Sequence, residues 1–118
     1  MKTIRTLALR GATALALIGA MAGAAAADQL ADIKAAGVIR VATDMGVPPY
    51  GMMNDQLKPV GSDVETAQLL AEALGVKLEL VPVTGANRIP FLLTDKADVV
   101  ISSFSVNAER AKVIDFSK

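Results

Sequence analysis

Segments typical of strands alternate with segments typical of helices, and this order constrains the fold more than any other feature of the sequence. Residues 38–43 are rich in β-branched side chains and residues 77–83 alternate in polarity, so both segments predict strands. Between them, residues 63–74 place apolar side chains at helical spacing, which predicts a helix that ends at Gly75. A strand, a helix and a second strand in this order are typical of a βαβ unit with parallel strands.

The start of this helix carries a capping-box pattern, in which Glu65 follows Ser62 after three residues. The pattern predicts that the Ser62 side chain accepts a hydrogen bond from a helix N–H group. The other predicted elements are helices at 30–36, 87–93 and 107–112, a proline-rich loop at 45–59, and strands at 97–102 and 113–116. Together, these segments predict an α/β fold in which βαβ units form a parallel sheet.

Residues 1–27 have the order of a secretory signal peptide. Three basic residues precede an apolar run at 12–22, and three alanines at 25–27 lead to the polar pair Asp28-Gln29. The alternative is a transmembrane anchor, but the run is rich in alanine and glycine and is weak for a span of about 20 residues. We therefore expect cleavage of this segment and export of the remainder to the periplasm.

Residues 28–118 carry nine cationic and 12 acidic side chains, which gives a net charge of −3 and no basic stripe for nucleic acid. The chain has no cysteine and no histidine, so it lacks disulfides and the commonest general base and metal ligand. This composition is unfavourable for an enzyme. We expect a monomer with no catalytic residue, no metal, no cofactor and no nucleic-acid partner.

Small and polar side chains follow each predicted strand, at Thr43-Asp44, Thr84-Gly85 and 102–105. Ligands of open parallel sheets bind beyond the carboxyl ends of the strands, so these positions are the first candidates for a site. Hydroxyl groups, together with the N–H groups of the helix that Asn107 is expected to cap, suit an anion such as a carboxylate.

Arg110 falls in the first turn of that short helix, where a cation opposes the helix dipole at a cost of about 0.3 kcal/mol or more. The cost is explained if the guanidinium forks onto a ligand carboxylate, for which arginine is better suited than lysine. The alternative is a solvated arginine paired with Glu109 or Asp115. Spacing alone leaves both interpretations open.

Three further residues have two interpretations each. Asp44 either binds a ligand ammonium or cationic side chain, or bonds the backbone of its own loop. Tyr50, the one tyrosine of the chain, either walls a pocket or packs under the loop. Arg88 is ambiguous in the same way.

Two stretches resemble the family 3 solute-binding proteins, the periplasmic amino-acid receptors of ABC importers. The first runs from Gly37 ("GVIRVATD") to Val83 ("VKLELVPV"), and the second combines "DVVISSFSVNAER" with "VIDFS". The similarity covers almost all of residues 30–118. It implies a type II periplasmic-binding-protein fold, of which residues 28–118 are an incomplete N-terminal part of lobe 1 without the second lobe.

The resemblance also implies roles for single residues. Arg110 matches the arginine that clamps the ligand α-carboxylate. Ser103 and Ser105 match positions that bond the carboxylate and amino group of the ligand, and Ser102 is adjacent to them.

Other matched positions concern the ligand side chain. Asp44 matches a position that often contacts this side chain, and Gly85 matches one that usually contacts the ligand through its backbone or a small side chain. Arg88 lies in "NRIP", which is similar to receptors for acidic amino acids, where this arginine helps to hold a side-chain carboxylate. Those receptors carry arginine at the position of Asp44, and many relatives carry an aromatic residue at the position of Val47, so ligand specificity stays open.

The family implies capture of a free polar amino acid, closure of two lobes and delivery to an ABC permease in the inner membrane. Without the second-lobe acid that holds the ligand ammonium, we expect this chain to bind weakly or not at all. One alternative is an exported dehydratase that acts on cyclic carboxylates, since fold alone does not fix function. The other is a sensory ligand-binding domain fused to a kinase or channel.

Overall fold

The computed structural model describes residues 28–118, and the expected signal peptide at 1–27 lies outside the described residues. The elements in chain order are α1 (Gln29–Ala36), β1 (Val38–Asp44), β2 (Met52–Met53), β3 (Pro59–Val60), α2 (Ser62–Leu74), β4 (Lys77–Val83), α3 (Arg88–Leu93), β5 (Val99–Val100) and α4 (Ala108–Ala111). Within this described part, no helix combines the length and apolar character that crossing a membrane requires.

The strands β4, β1 and β5 form one parallel sheet in that order. The central strand β1 pairs with β4 along its full length, where Asp44 lies opposite Val83, and with β5 through Val41 and Ala42. Because all three strands run in the same direction, their carboxyl ends lie at one edge. The predicted α/β fold with a parallel sheet is confirmed.

Different helices cover the two faces of the sheet. Successive side chains of β1 point to opposite faces, so this strand contributes to two separate apolar clusters. The cluster on the face covered by α1 and α2 consists of Ile33, Ile39, Val41, Ala67 and Ala71. The cluster on the other face consists of Ala42, Val83 and Ala97, with Phe91 of α3 packed against it. The apolar face that the sequence predicts for the long helix therefore forms one side of the core.

The capping-box prediction is wrong. The helix α2 begins at Ser62 itself, the cap position is Gly61, and no side chain caps the helix. The N–H of Glu65, which the Ser62 side chain would accept in a capping box, donates instead to the carbonyl of Gly61, at 3.0 Å. The N–H of Asp63 donates to the carbonyl of Tyr50, at 2.9 Å. Gly61 has a φ of 120°, and a Cβ at this position would lie 2.7 Å from the carbonyl oxygen of Pro49, so this close approach of two chain segments requires glycine.

The predicted loop at 45–59 contains a short antiparallel hairpin formed by β2 and β3. Its turn is closed by Asn54, whose side-chain oxygen accepts the N–H groups of Gln56 and Lys58, both at 2.9 Å. The predicted strand at 97–102 is shorter than expected. The segment 113–116 forms no strand and has no ladder partner within residues 28–118.

A charged network ties β1 to the start of β5. The Arg40 guanidinium donates to both carboxylate oxygens of Asp98, at 2.7 and 3.2 Å, and also contacts the exposed carboxylate of Asp95 at 2.9 Å. Burial raises the pKa of Asp98, but hydrogen bonds and charge from Arg40 outweigh burial and hold this pKa below its ordinary value. The hydrogen bonds that Arg40 donates to Asp98 and Asp95 likewise raise the pKa of Arg40.

Candidate functional site

The loop between β5 and α4 starts at the carboxyl edge of the sheet. The N–H of Ile101 donates to the carbonyl of Ala42 at 3.0 Å, which continues the pairing with β1 for one more residue. The chain then leaves the sheet through 102–106 and enters α4. This loop contains the three serines that the sequence indicates as site residues.

Arg110 is held against this loop. The Asn107 side chain accepts the N–H of Arg110 at 2.9 Å, so the predicted cap is present. The Nη1 group of the same arginine donates to the carbonyl and to the hydroxyl of Ser105, at 2.7 and 2.9 Å. Glu109 pairs with Lys112 at 2.7 Å, so the alternative of a Glu109–Arg110 pair is not what the structure shows.

Arg88 reaches the same loop from the first residue of α3. Its Nη1 group donates to the carbonyl of Ser103 at 2.7 Å. A Cβ on Gly85 would lie 3.0 Å from Nη2 of Arg88, so the glycine leaves room for this side chain. The Nε atom of Arg88 is buried and has no hydrogen-bond partner within residues 28–118.

Phe104 lies between the two arginines and was not among the predicted site residues. The guanidinium carbon of Arg110 is 4.4 Å from the centre of its ring, and that of Arg88 is 4.8 Å away. Phe116 lies on the ring as well, with the two ring centres 5.7 Å apart. An aromatic residue between two candidate serines, in a chain with three phenylalanines, was the available signal.

The structure thus brings Arg88, Ser103, Phe104, Ser105 and Arg110 into one cluster. Neither arginine forms an ion pair in the part of the chain that the structure describes. The cluster is therefore positively charged and lies beyond β5, at the edge where ligands of parallel sheets bind. Such an arrangement suits an anion.

Two buried hydroxyl groups lie near the same edge. Thr43 is fully buried near the end of β1, and Ser102 is half-buried after β5. The hydroxyl oxygen of each has no hydrogen-bond partner within residues 28–118. An unpartnered buried hydroxyl is costly, and both lie below the surface of this edge.

The remaining predicted site residues, Asp44 and Tyr50, are not part of the arginine cluster. The Asp44 carboxylate accepts the N–H of Gly46 at 2.9 Å, as expected from the interpretation in which it bonds its own loop. The Tyr50 side chain is exposed, and its carbonyl accepts the N–H of Asp63. Residues 28–118 contain no cluster of three or more His, Cys, Asp or Glu side chains that could hold a metal.

Residues 39–118 match the family model of bacterial extracellular solute-binding proteins, family 3. The L-cystine-binding protein TcyJ of Escherichia coli is 36% identical over 112 residues, which cover 93% of this chain and 42% of the relative. The cyclohexadienyl dehydratase of Pseudomonas aeruginosa is 36% identical over 103 residues, which cover 87% and 38%. The chain thus spans about two fifths of the length of these curated relatives.

The fold of this chain also matches solved structures. The arginine-bound form of domain 1 from TmArgBP, of T. maritima, has a TM-score of 0.71 at 39% identity, over 74% of this chain and 69% of that domain. An ancestral cationic amino acid solute-binding protein has a TM-score of 0.72 at 40% identity, over 75% of this chain and 38% of that protein. This chain belongs to family 3 of the bacterial extracellular solute-binding proteins.

Proposed function

We propose that the chain is the amino-acid-binding part of a periplasmic receptor that delivers a polar amino acid to an ABC permease. The observation that supports this most is the Arg110 guanidinium, which Ser105 holds in the loop after β5. In this proposal residues 1–27 are the export signal and residues 28–118 are an N-terminal part of lobe 1.

The α-carboxylate of the ligand binds Arg110 in this proposal. Only Nη1 of Arg110 donates to Ser105, while its Nη2 and Nε groups donate to no protein atom within residues 28–118. These two groups lie along the same edge of the planar guanidinium, and their N–H groups form the pair of parallel donors that matches a carboxylate. Asp44 or a second lobe that closes over the first holds the ligand ammonium, and Arg88 holds a carboxylate of the ligand side chain where one is present.

A single lobe suffices to hold a ligand in one relative. One structure that this fold matches is an arginine-bound form of domain 1, of which this chain covers 69%, and it supports ligand binding by first-lobe residues in this chain. The expectation of weak or absent binding rests on the unpaired ammonium of the ligand. We propose that the first lobe provides the carboxylate site and that closure increases affinity.

Isothermal titration of the purified chain with L-arginine, L-cystine, L-glutamine and L-glutamate tests the function. We expect at least one of them to bind, and Arg110→Ala to weaken that binding by at least about tenfold, as for a lost charge-assisted pair. Lys112→Ala is the matched control, since it removes a nearby cation that is already paired with Glu109. Equal affinity of Arg110→Ala and wild type would overturn the proposed site.

The second candidate function is an exported dehydratase. It is favoured by the 36% identity to the cyclohexadienyl dehydratase of Pseudomonas aeruginosa. Such an enzyme also needs an anion site for a cyclic carboxylate, together with a general acid or base, and the chain has no histidine. Release of product from prephenate, measured by absorbance with catalytic amounts of protein, would favour this candidate over the receptor.

A further inference from the structure

The two arginines of the site are linked through one tripeptide. The carbonyl of Ser103 accepts a hydrogen bond from Arg88, and the carbonyl and hydroxyl of Ser105 accept hydrogen bonds from Arg110. The ring of Phe104, between these two serines in sequence, contacts both guanidinium groups. The two side chains come from different helices and both contact this ring. Their relative position therefore depends on Phe104 as well as on the hydrogen bonds to Ser103 and Ser105.

Electrostatics favours such a link. Because both guanidinium carbons lie within 5 Å of one ring centre, they are less than about 10 Å apart, which is about one Debye length at 0.1 M salt. Two cations at this separation repel each other when no anion is bound. The negative face of an aromatic ring attracts a guanidinium, so the ring offsets part of this repulsion.

The burial of Arg88 gives a second reason. Its Nε atom is buried without a hydrogen-bond partner within residues 28–118. The carbonyl of Ser103 and the ring of Phe104 are the contacts that compensate for the partial burial of this side chain. Phe116 packs on the Phe104 ring from the C-terminal segment, and this contact restricts the ring in turn.

We infer that Phe104 is a positioning residue, which holds the guanidiniums of Arg88 and Arg110 as a pair for an anionic ligand. The part that concerns the ligand rests on the proposed function, whereas the positioning of the arginines does not. The inference assigns to the aromatic ring a role that an aliphatic side chain of similar size does not fill.

Nuclear magnetic resonance of the ligand-free chain tests the positioning. The side-chain protons of Arg88 and Arg110, assigned with Arg88→Lys and Arg110→Lys, should show upfield ring-current shifts in wild type and in Phe104→Tyr. In Phe104→Leu these shifts vanish with the ring, and the guanidinium protons of Arg88 and Arg110 should also exchange with water faster, because the ring no longer holds the two groups. Guanidinium exchange as slow in a folded Phe104→Leu protein as in wild type would overturn the inference, and Phe104→Met is the second ring-free variant if Phe104→Leu does not fold.

Phe91→Leu is the matched control, because Phe91 also contacts a cation, with Nζ of Lys96 at 5.1 Å from its ring centre. This substitution should move the Lys96 signals and leave both arginines unchanged. If it moves the arginine signals as much as Phe104→Leu does, the effect is general loosening of the fold, and the positioning role is wrong.

Titration with the amino acid that wild type binds tests whether this positioning of the arginines contributes to ligand affinity. We expect about fivefold weaker binding for Phe104→Leu, the size of an exposed cation–π contact, and recovery to within about twofold for Phe104→Tyr. Equal affinities of wild type and Phe104→Leu would overturn the functional part. If wild type binds none of the amino acids, the proposed function fails, and the exchange of the guanidinium protons alone decides the positioning.

Discussion

Arg40 and Asp98 are joined by a two-pronged ion pair and by two backbone contacts. The guanidinium donates to both carboxylate oxygens, the N–H of Arg40 donates to Asp98 Oδ2 at 2.8 Å, and the N–H of Asp98 donates to the Arg40 carbonyl at 2.8 Å. The two residues are 58 positions apart in sequence. This pair fixes the start of β5, and therefore also the position at which the loop 102–106 leaves the sheet.

We predict that the Asp98 pair makes stability depend on pH in the acid range. Its folded-state pKa lies below the ordinary value, so its contribution is complete above the unfolded-state pKa of about 3.9 and is lost as pH falls through the lower folded-state pKa. At pH 7, Asp98→Asn should lower the free energy of unfolding by about 2 kcal/mol, because one side of a partly buried pair is lost. Urea unfolding of both proteins between pH 7 and pH 2 measures the effect.

The difference between wild type and Asp98→Asn should shrink as pH falls below about 4. Asp95→Asn is the control, since the Asp95 side chain is 91% exposed and exposed ion pairs contribute little. A difference between wild type and Asp98→Asn that stays constant over this range would contradict the assignment.

The helix α2 lies so close to the sheet that it tolerates only small side chains at its centre. Ala67 is fully buried against β1, so Ala67→Leu should cost about 1–3 kcal/mol through overpacking. Leu69, which is 65% exposed on the same helix, is the control, and Leu69→Ala should stay within about 0.5 kcal/mol of wild type. Urea unfolding at pH 7 distinguishes them, and equal midpoints would show that this face of α2 is not packed as described.

Two glycines flank α2 with positive φ, but their surroundings differ. At Gly75 a Cβ would meet no atom within 4 Å, so Gly75→Ala should cost about 1 kcal/mol from backbone strain alone. At Gly61 a Cβ would also collide with the carbonyls of Pro49 and Tyr50, and Gly61→Ala should cost more than about 2 kcal/mol. Thermal unfolding monitored by circular dichroism gives the ranking, and the reverse order would contradict the contact between α2 and the 49–50 segment.

The sequence predicts those elements whose cause is local. The apolar periodicity of 63–74, the β-branched residues of 38–43 and the cap at Asn107 each depend on neighbours along the chain, and all three are confirmed. The capping box at Ser62 is the exception. The helix begins one residue earlier than the pattern indicates, with Gly61 at the cap, and the N–H of Glu65 that the Ser62 side chain would accept donates to the carbonyl of Gly61.

Residues whose role depends on contacts between separate helices and strands could not be predicted from the sequence. Arg88, Ser103, Ser105 and Arg110 were predicted from strand ends and family likeness, and their binding role stays a prediction. Phe104 was not predicted, because the value of an aromatic ring between two arginines appears only when α3 and α4 are brought to the same loop. Asp98 was missed for the same reason, since its partner Arg40 lies on another strand.

The two serines that contact the arginines use different atoms, and this difference predicts different phenotypes. Ser105 accepts hydrogen bonds from Arg110 with both its hydroxyl and its carbonyl. Ser103 accepts a hydrogen bond from Arg88 with its carbonyl alone. Ser105→Ala removes one hydrogen bond to the guanidinium, and it should weaken amino-acid binding about two- to tenfold, as for a single hydrogen bond.

Ser103→Ala keeps the carbonyl that holds Arg88, so it should leave the ring-current shifts of both arginine side chains unchanged. It is therefore the matched control for the orientation of the guanidiniums, while Ser105→Ala should alter the Arg110 signals alone. Isothermal titration of both variants, together with their arginine spectra, separates the two effects. If Ser105→Ala lowers affinity without any change in the Arg110 signals, its hydroxyl acts on the ligand directly, and the claim that it orients Arg110 is wrong.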